Sequence, residues 1–204
     1  MKTVQEEFWA GEFGDDYIAR NKSDALLAAN LALFSDIMRV TGPISSVLEL
    51  GCNVGMNLKA LDLLDSKLLK AGFDINESAI SQLKTEKPSF DVKTGSIIES
   101  LMTDTADLVF TKGVLIHINP DHLEAAYANL YEKSNKYICV IEYYNPSPVA
   151  ITYRGHDDRL FKRDFCGDLL DKYKDLELVD YGFCYHRDPV FQQDDMTWFL
   201  MRKV

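Results

Sequence analysis

From residue 44 onward, short apolar runs alternate with amphipathic stretches. Ser46–Leu50, Leu68–Ile75, Phe90–Lys93, Asp107–Thr111 and Tyr137–Glu142 have the length and composition of strands. Between them, Leu58, Leu61 and Leu64 after Gly55, then Glu77–Lys84, then Pro120–Glu132, carry apolar residues at helical spacing. Parallel strands need long crossovers, and helices supply them, so this alternation predicts a parallel sheet covered on both faces. A looser segment, 143–163, and a helix near Asp164–Tyr173 follow. Two final runs, 176–185 and 196–203, have no helix between them and predict an antiparallel hairpin at one edge. The expected fold is α/β: a seven-stranded, mostly parallel sheet with ligands beyond the carboxyl ends of the strands, near strand one.

The chain has 204 residues, enough for one core, and no internal repeat or low-complexity linker divides it. One domain is expected, with residues 1–40 as an N-terminal lid and helix, 44–142 as a ligand-binding core, and 143–204 as an acceptor-side segment with the terminal strands. Ser23 is placed to cap a helix running to about Val40, and Gly42-Pro43 stops it. Ahead of it, Phe8, Trp9, Phe13 and Tyr17 lie among glycines and acids that break any clean helical face. They are expected to form a lid that excludes water; packing on the sheet edge is the other use for them.

Net charge is −10, against the basic stripe of a nucleic-acid binder and against an anionic membrane as partner. A small molecule remains the expected partner. The four cysteines are widely spaced, with no Cys-x-x-Cys pair, so neither a disulfide framework nor a metal site is expected, and the cytoplasm is the expected setting. The oligomeric state is not legible.

The turn after strand one, "VLELGCNVGMN", has Gly51 and Gly55 but Asn53 and Met56 where a dinucleotide fingerprint has further glycines. A pyrophosphate needs close backbone approach at the third of those glycines; a phosphate-free adenosyl ligand does not. Asp74 ends strand two, where a carboxylate can accept from a ribose diol or can close an Asx turn into the next helix.

These segments resemble class I S-adenosylmethionine-dependent methyltransferases. "LELGCNVG" is similar to the family's first motif, "GFDINESAI" to its second, and "DLVFTKGVLIHINPDHL" to the segment around its fourth strand. Over most of its length the chain also resembles the pseudaminic acid biosynthesis-associated methylases. The resemblance implies a Rossmann-like fold, S-adenosylmethionine as cofactor and a methyl-transfer reaction. It implies that Glu49 and the Gly51, Cys52, Asn53 and Gly55 backbone meet the methionine portion, that Asp74 takes the ribose hydroxyls, and that Ile75 packs on adenine. Ser96 and Ile97 would stand at the adenine edge, where many members have an acid in place of Ser96. Lys112 and Gly113 would line the transfer channel. The Asn53 side chain is expected to reach the cofactor carboxylate.

For the acceptor, His117, His156 and Tyr143 are the candidate bases, with a structural histidine as the other reading of His117. Trp9, Tyr17, Arg20, Tyr144 and Arg154 are the candidate acceptor contacts. Arg154, His156, Arg159, Lys162 and Arg163 concentrate positive charge in an acidic chain and suit an anionic acceptor such as a nonulosonic-acid sugar or a nucleotide-sugar, unless neighbouring acids neutralise them. Two other functions compete: a non-catalytic module that binds through the same fold, and an NAD-dependent oxidoreductase, which the missing third glycine disfavours.

Overall fold

The computed structural model describes residues 2–20, 22–153 and 155–204, with side chains at all of these except 19, 20, 153 and 156–159. Five strands, β1 (Ser46–Leu50), β2 (Leu69–Asp74), β3 (Asp91–Thr94), β4 (Ala106–Lys112) and β5 (Ser134–Glu142), run parallel. A hairpin, β6 (Val149–Tyr153) and β7 (His156–Lys162), stands apart from them. The last strands, β8 (Leu176–Phe183) and β9 (Thr197–Lys203), pair antiparallel, and β9 pairs antiparallel with β5. The seven-stranded order is β3-β2-β1-β4-β5-β9-β8. Strand order reverses between β1 and β4, which opens a crevice at their carboxyl ends.

Helices cover both faces. On one lie α3 (Asp24–Thr41), α4 (Met56–Leu64) and α5 (Glu77–Glu86); on the other, α6 (Leu123–Glu132) and α7 (Phe165–Lys172). Strand β1 feeds both cores by its two-residue period. Val47 joins Phe34, Ile37, Leu58 and Leu61, while Leu48 and Leu50 join Leu123, Leu130 and Leu169. Central strands buried on both faces read as continuous apolar runs, which is why β1, β4 and β5 are the plainest in the sequence. As expected, Ser23 caps α3, its Oγ accepting from Leu26 N–H at 3.1 Å, and Gly42 closes it.

Two expectations are corrected. The loose segment 143–163 contains the β6–β7 hairpin, with Val149 opposite Lys162, and Leu160 packs with Leu115 and Ile116 on the turn after β4. The N-terminal segment is helical, as α1 (Val4–Ala10) and α2 (Glu12–Arg20). Thr3 and Glu6 form a reciprocal cap: Glu6 N–H donates to Thr3 Oγ1 at 3.1 Å, and Thr3 N–H donates to Glu6 Oε2 at 2.6 Å. A Cβ on Gly14 would fall 1.9 Å from the Trp9 carbonyl oxygen, so that glycine lets α2 fold back on α1. Phe8 stacks on Phe13 at 4.1 Å, and Trp9 meets Phe13 and Tyr17 edge-on. These contacts join the two short helices through their aromatic residues. Among the described residues no helix is long and apolar enough to cross a membrane.

Candidate functional site

The carboxyl ends of β1, β2 and β4 open into a cavity of about 690 Å³, roofed by α1 and α2 and closed at its far end by the loop between β8 and β9. Its floor is the turn after β1. Gly51 has φ +87° and lies so close to the loop after β4 that a Cβ would sit 2.3 Å from Val114 Cγ2. Its N–H donates to Phe73 O at 2.7 Å, tying the turn to β2. Asn53 takes φ +46°, which asparagine tolerates because its short polar side chain bonds locally. Here Asn53 Oδ1 accepts from Val54 N–H at 2.8 Å. That oxygen therefore serves the turn itself, and Asn53 lines the cavity.

Asp74 faces the cavity beside this turn. Its Oδ2 accepts from Asn53 N–H at 2.7 Å and its Oδ1 from Asn76 N–H at 2.8 Å. The Asx turn of the sequence reading is thus present, and the side chain that makes it lines the cavity. Burial raises its pKa, and the backbone donors only partly counter that. Two residues on, Asn76 caps α5 through Oδ1, which accepts from Ala79 N–H at 2.9 Å. Its Nδ2 donates to Trp9 O at 3.3 Å and to Asp15 Oδ1 at 3.0 Å, which fastens the N-terminal helices beside Asp74. Ile75, Ser96 and Ile97 line the same side, and Ser96 Oγ donates to the carboxylate of Glu6 on α1.

Glu49 lies beneath the turn, fully buried, and does not itself line the cavity. Its Oε1 accepts from Asn57 Nδ2 at 2.6 Å, and its Oε2 has no partner. Burial pushes its pKa up to about 8, against the pull of Asn57 and Lys112. Gly55, at φ +72°, stands behind the turn against Leu83. Gly51, Cys52, Lys112 and Gly113 do line the cavity.

Sequence reasoning missed the part played by Glu142, the last residue of β5. It is 2% exposed, and its Oε1 accepts from the N–H groups of Val114 and Leu115, each at 3.0 Å. Ile116 N–H and Thr111 Oγ1 add longer bonds. The carboxylate thereby shapes the loop that carries His117. The available signal was an acid ending the apolar run "YICVIE". Burial pushes the pKa of Glu142 up to about 7, opposed by those backbone donors.

His117 is buried in the cavity wall, its ring 4.6 Å from that of Trp9. Trp9 and Tyr17 line the roof. Tyr143 lines the far end, its hydroxyl donating to Asp194 Oδ2 at 2.8 Å, with Lys162 Nζ 4.9 Å from its ring centroid. Tyr144 is not among the lining residues and tilts toward Phe199 at 5.8 Å. Arg154 lies outside the described residues, as do the side chains of Arg20 and His156.

The loop between β8 and β9 was also missed. It brings His186, Asp188, Gln193 and Asp194 to the cavity. His186 Nδ1 stands 2.8 Å from both carboxylate oxygens of Asp195. Only the local density of His, Asp and Gln in "HRDPVFQQDD" hinted at it. Among the described residues, three cavity-lining side chains hold buried polar atoms without a partner: Trp9 Nε1, Asn57 Oδ1 and Gln193 Oε1. Such atoms are costly unless a ligand or water meets them.

No family model matches the sequence, and no curated protein matches it. Solved structures do. The magnesium protoporphyrin IX methyltransferase of Synechocystis PCC 6803, with bound S-adenosylhomocysteine, is 14% identical and superposes with a TM-score of 0.74 over 100% of both chains. An S-adenosylmethionine-dependent methyltransferase from Clostridium acetobutylicum is 12% identical with a TM-score of 0.66, over 94% of this chain and 97% of that one. A glycopeptide N-methyltransferase complexed with sinefungin is 12% identical with a TM-score of 0.66, over 86% and 94%. At these identities the likeness establishes the fold, a Rossmann-like methyltransferase fold.

Proposed function

We propose that the chain is an S-adenosylmethionine-dependent methyltransferase acting on a small polar acceptor. One observation carries the proposal: a single cavity runs from Asp74, across a turn with no third glycine, to Lys112 and Gly113. The lining fits the cofactor in kind. Asp74 presents a carboxylate to ribose hydroxyls, and Ile75 and Ile97 flank an apolar slot for adenine. Glu6, drawn against Ser96, supplies an acid at the adenine edge. The unpartnered Asn57 Oδ1 is an acceptor for the amino group of the methionine end.

S-Adenosylmethionine supplies a methyl group on a cationic sulfur, already electrophilic. The protein's part is then to align, to exclude water and to take up a proton. Orientation is worth roughly 7–11 kcal/mol in such reactions. Trp9 and Tyr17 close the roof, and His117, Tyr143 and His186, the last backed by Asp195, stand along the wall.

The narrower assignment, O- or N-methylation of an anionic sugar such as a nonulosonic acid, draws on the resemblance and on the basic residues of 154–163. Asp188 and Asp194 at the far end favour instead a neutral or cationic group at the point of transfer. Titration calorimetry with S-adenosylmethionine, S-adenosylhomocysteine and NAD tests the proposal. Micromolar affinity for the first two and none for NAD is expected. Absence of binding to the first two overturns it, and tight NAD binding would return the chain to the oxidoreductases.

A further inference from the structure

Lys112 ends β4 and lines the cavity. Its Nζ donates to Asn30 Oδ1 at 3.0 Å, and Asn30 is 1% exposed on α3. Among the described residues no carboxylate lies within ion-pair distance of that ammonium. The groups that act on it from a distance are Glu49 of β1, Glu142 of β5, and Cys184 and Asp194 of the loop between β8 and β9. Desolvation outweighs their attraction and holds the lysine below its ordinary pKa. An amine that faces a cavity without a counter-ion is one that can give up its proton and take it back.

We propose that Lys112 Nζ is the proton acceptor for the methyl-receiving group, set to its neutral form by the positive charge of the bound cofactor. The inference rests on the methyltransferase assignment above. With a sulfonium in the cavity, a second cation at Nζ is disfavoured, and Lys112 releases its proton to solvent. Asn30 Oδ1 then orients the amine through one N–H. During transfer the acceptor atom forms its bond to the methyl carbon, and the carbon–sulfur electron pair stays on sulfur. The acceptor's proton passes to the lone pair of Nζ. One positive charge leaves sulfur and one appears on Lys112, so the charge of the cavity is unchanged. The residue is reset when the next cofactor enters.

The cofactor and its demethylated product differ by that one charge, so the test needs no acceptor. Calorimetry in buffers of different ionisation enthalpy counts protons released on binding S-adenosylmethionine and S-adenosylhomocysteine, between about pH 7 and pH 9. The wild type is expected to release up to about one proton more with the sulfonium ligand, and its preference for that ligand to rise with pH. Lys112→Met is expected to bind both with no difference in proton release. Lys112→Arg, which stays charged, is expected to bind the sulfonium ligand about tenfold less well relative to the thioether, at every pH tested. Equal release by the wild type, or a surplus that survives in Lys112→Met, overturns the proposal. Should neither variant fold, Lys112→Gln, whose amide can still donate to Asn30, takes their place with the same two outcomes. Failure of the wild type to bind either ligand rejects the methyltransferase assignment instead.

Discussion

Ser96, on the loop after β3, donates its hydroxyl hydrogen to the carboxylate of Glu6, 90 residues earlier in the chain. The two belong to different layers, one to the sheet edge and one to the roof, so the bond holds the roof down. It also sets an acid against Ser96, where many members of the family the sequence resembles have one.

Glu6→Ala is therefore expected to loosen α1 and to weaken S-adenosylhomocysteine binding by about tenfold, as loss of a buried charge-assisted hydrogen bond costs about 1–3 kcal/mol. Calorimetry and amide exchange over residues 4–18 measure the two effects. Unchanged affinity with unchanged protection would show that aromatic packing and the Asn76 bonds hold the roof without Glu6. Burial pulls the pKa of Glu6 upward, but bonds from Ser96 and Thr3 outweigh it and leave the carboxyl below its usual value. The contribution of Glu6 to closure is accordingly complete above the unfolded glutamate pKa of about 4.3 and is lost as pH falls through the depressed one. Trp9 fluorescence on acid titration reports this, and the transition should be absent in Glu6→Gln.

Glu142→Gln removes the anion that gathers three backbone N–H groups and turns an amide donor toward one of them. A stability loss of about 2–3 kcal/mol is expected, read from the denaturant midpoint. The same substitution should raise exchange at Val114 and Leu115 before it affects β1.

Glu49 is more readily protonated folded than unfolded, because burial pushes its pKa up to about 8. Its contribution to stability is full below the unfolded value of about 4.3 and declines as pH rises toward 8. Glu49→Gln should flatten that decline, by about 1–3 kcal/mol at neutral pH. Thermal melts from pH 5 to pH 8 compare the two slopes; parallel slopes would contradict a buried, protonated Glu49.

Gly51→Ala places a methyl 2.3 Å from Val114 Cγ2 at positive φ. Left-handed backbone costs a non-glycine residue about 1–2 kcal/mol, with the steric clash in addition. Adding Val114→Ala should recover the clash and leave the backbone term. A double variant no more stable than Gly51→Ala would show that the turn, rather than the loop after β4, sets the position of Gly51.

The central strands were legible because burial on both sheet faces forces continuous apolar runs. Val47 to Leu50 and "DLVFT" have no other use than as central strands, and Gly51, Asn53 and Asp74 could be located by their offset from those strands. The N-terminal helices were not legible. Their order comes from Phe8, Trp9, Phe13 and Tyr17 meeting across two short helices, which one-helix periodicity does not register. The β6–β7 hairpin was hidden by its charged second strand and by the prolines at 146 and 148. The His186–Asp195 pair is made by closure of a loop between two strands, and no repeat distance encodes it.

Asn76 holds Trp9 and Asp15 with the same side chain that starts α5, two residues beyond Asp74. On the proposed function, a nucleoside sugar bound at Asp74 and the hatch above it would share one fastening. Departure of the spent ligand and lifting of the hatch become a single motion, and stopped-flow traces of ligand release and of Trp9 emission should show one common rate.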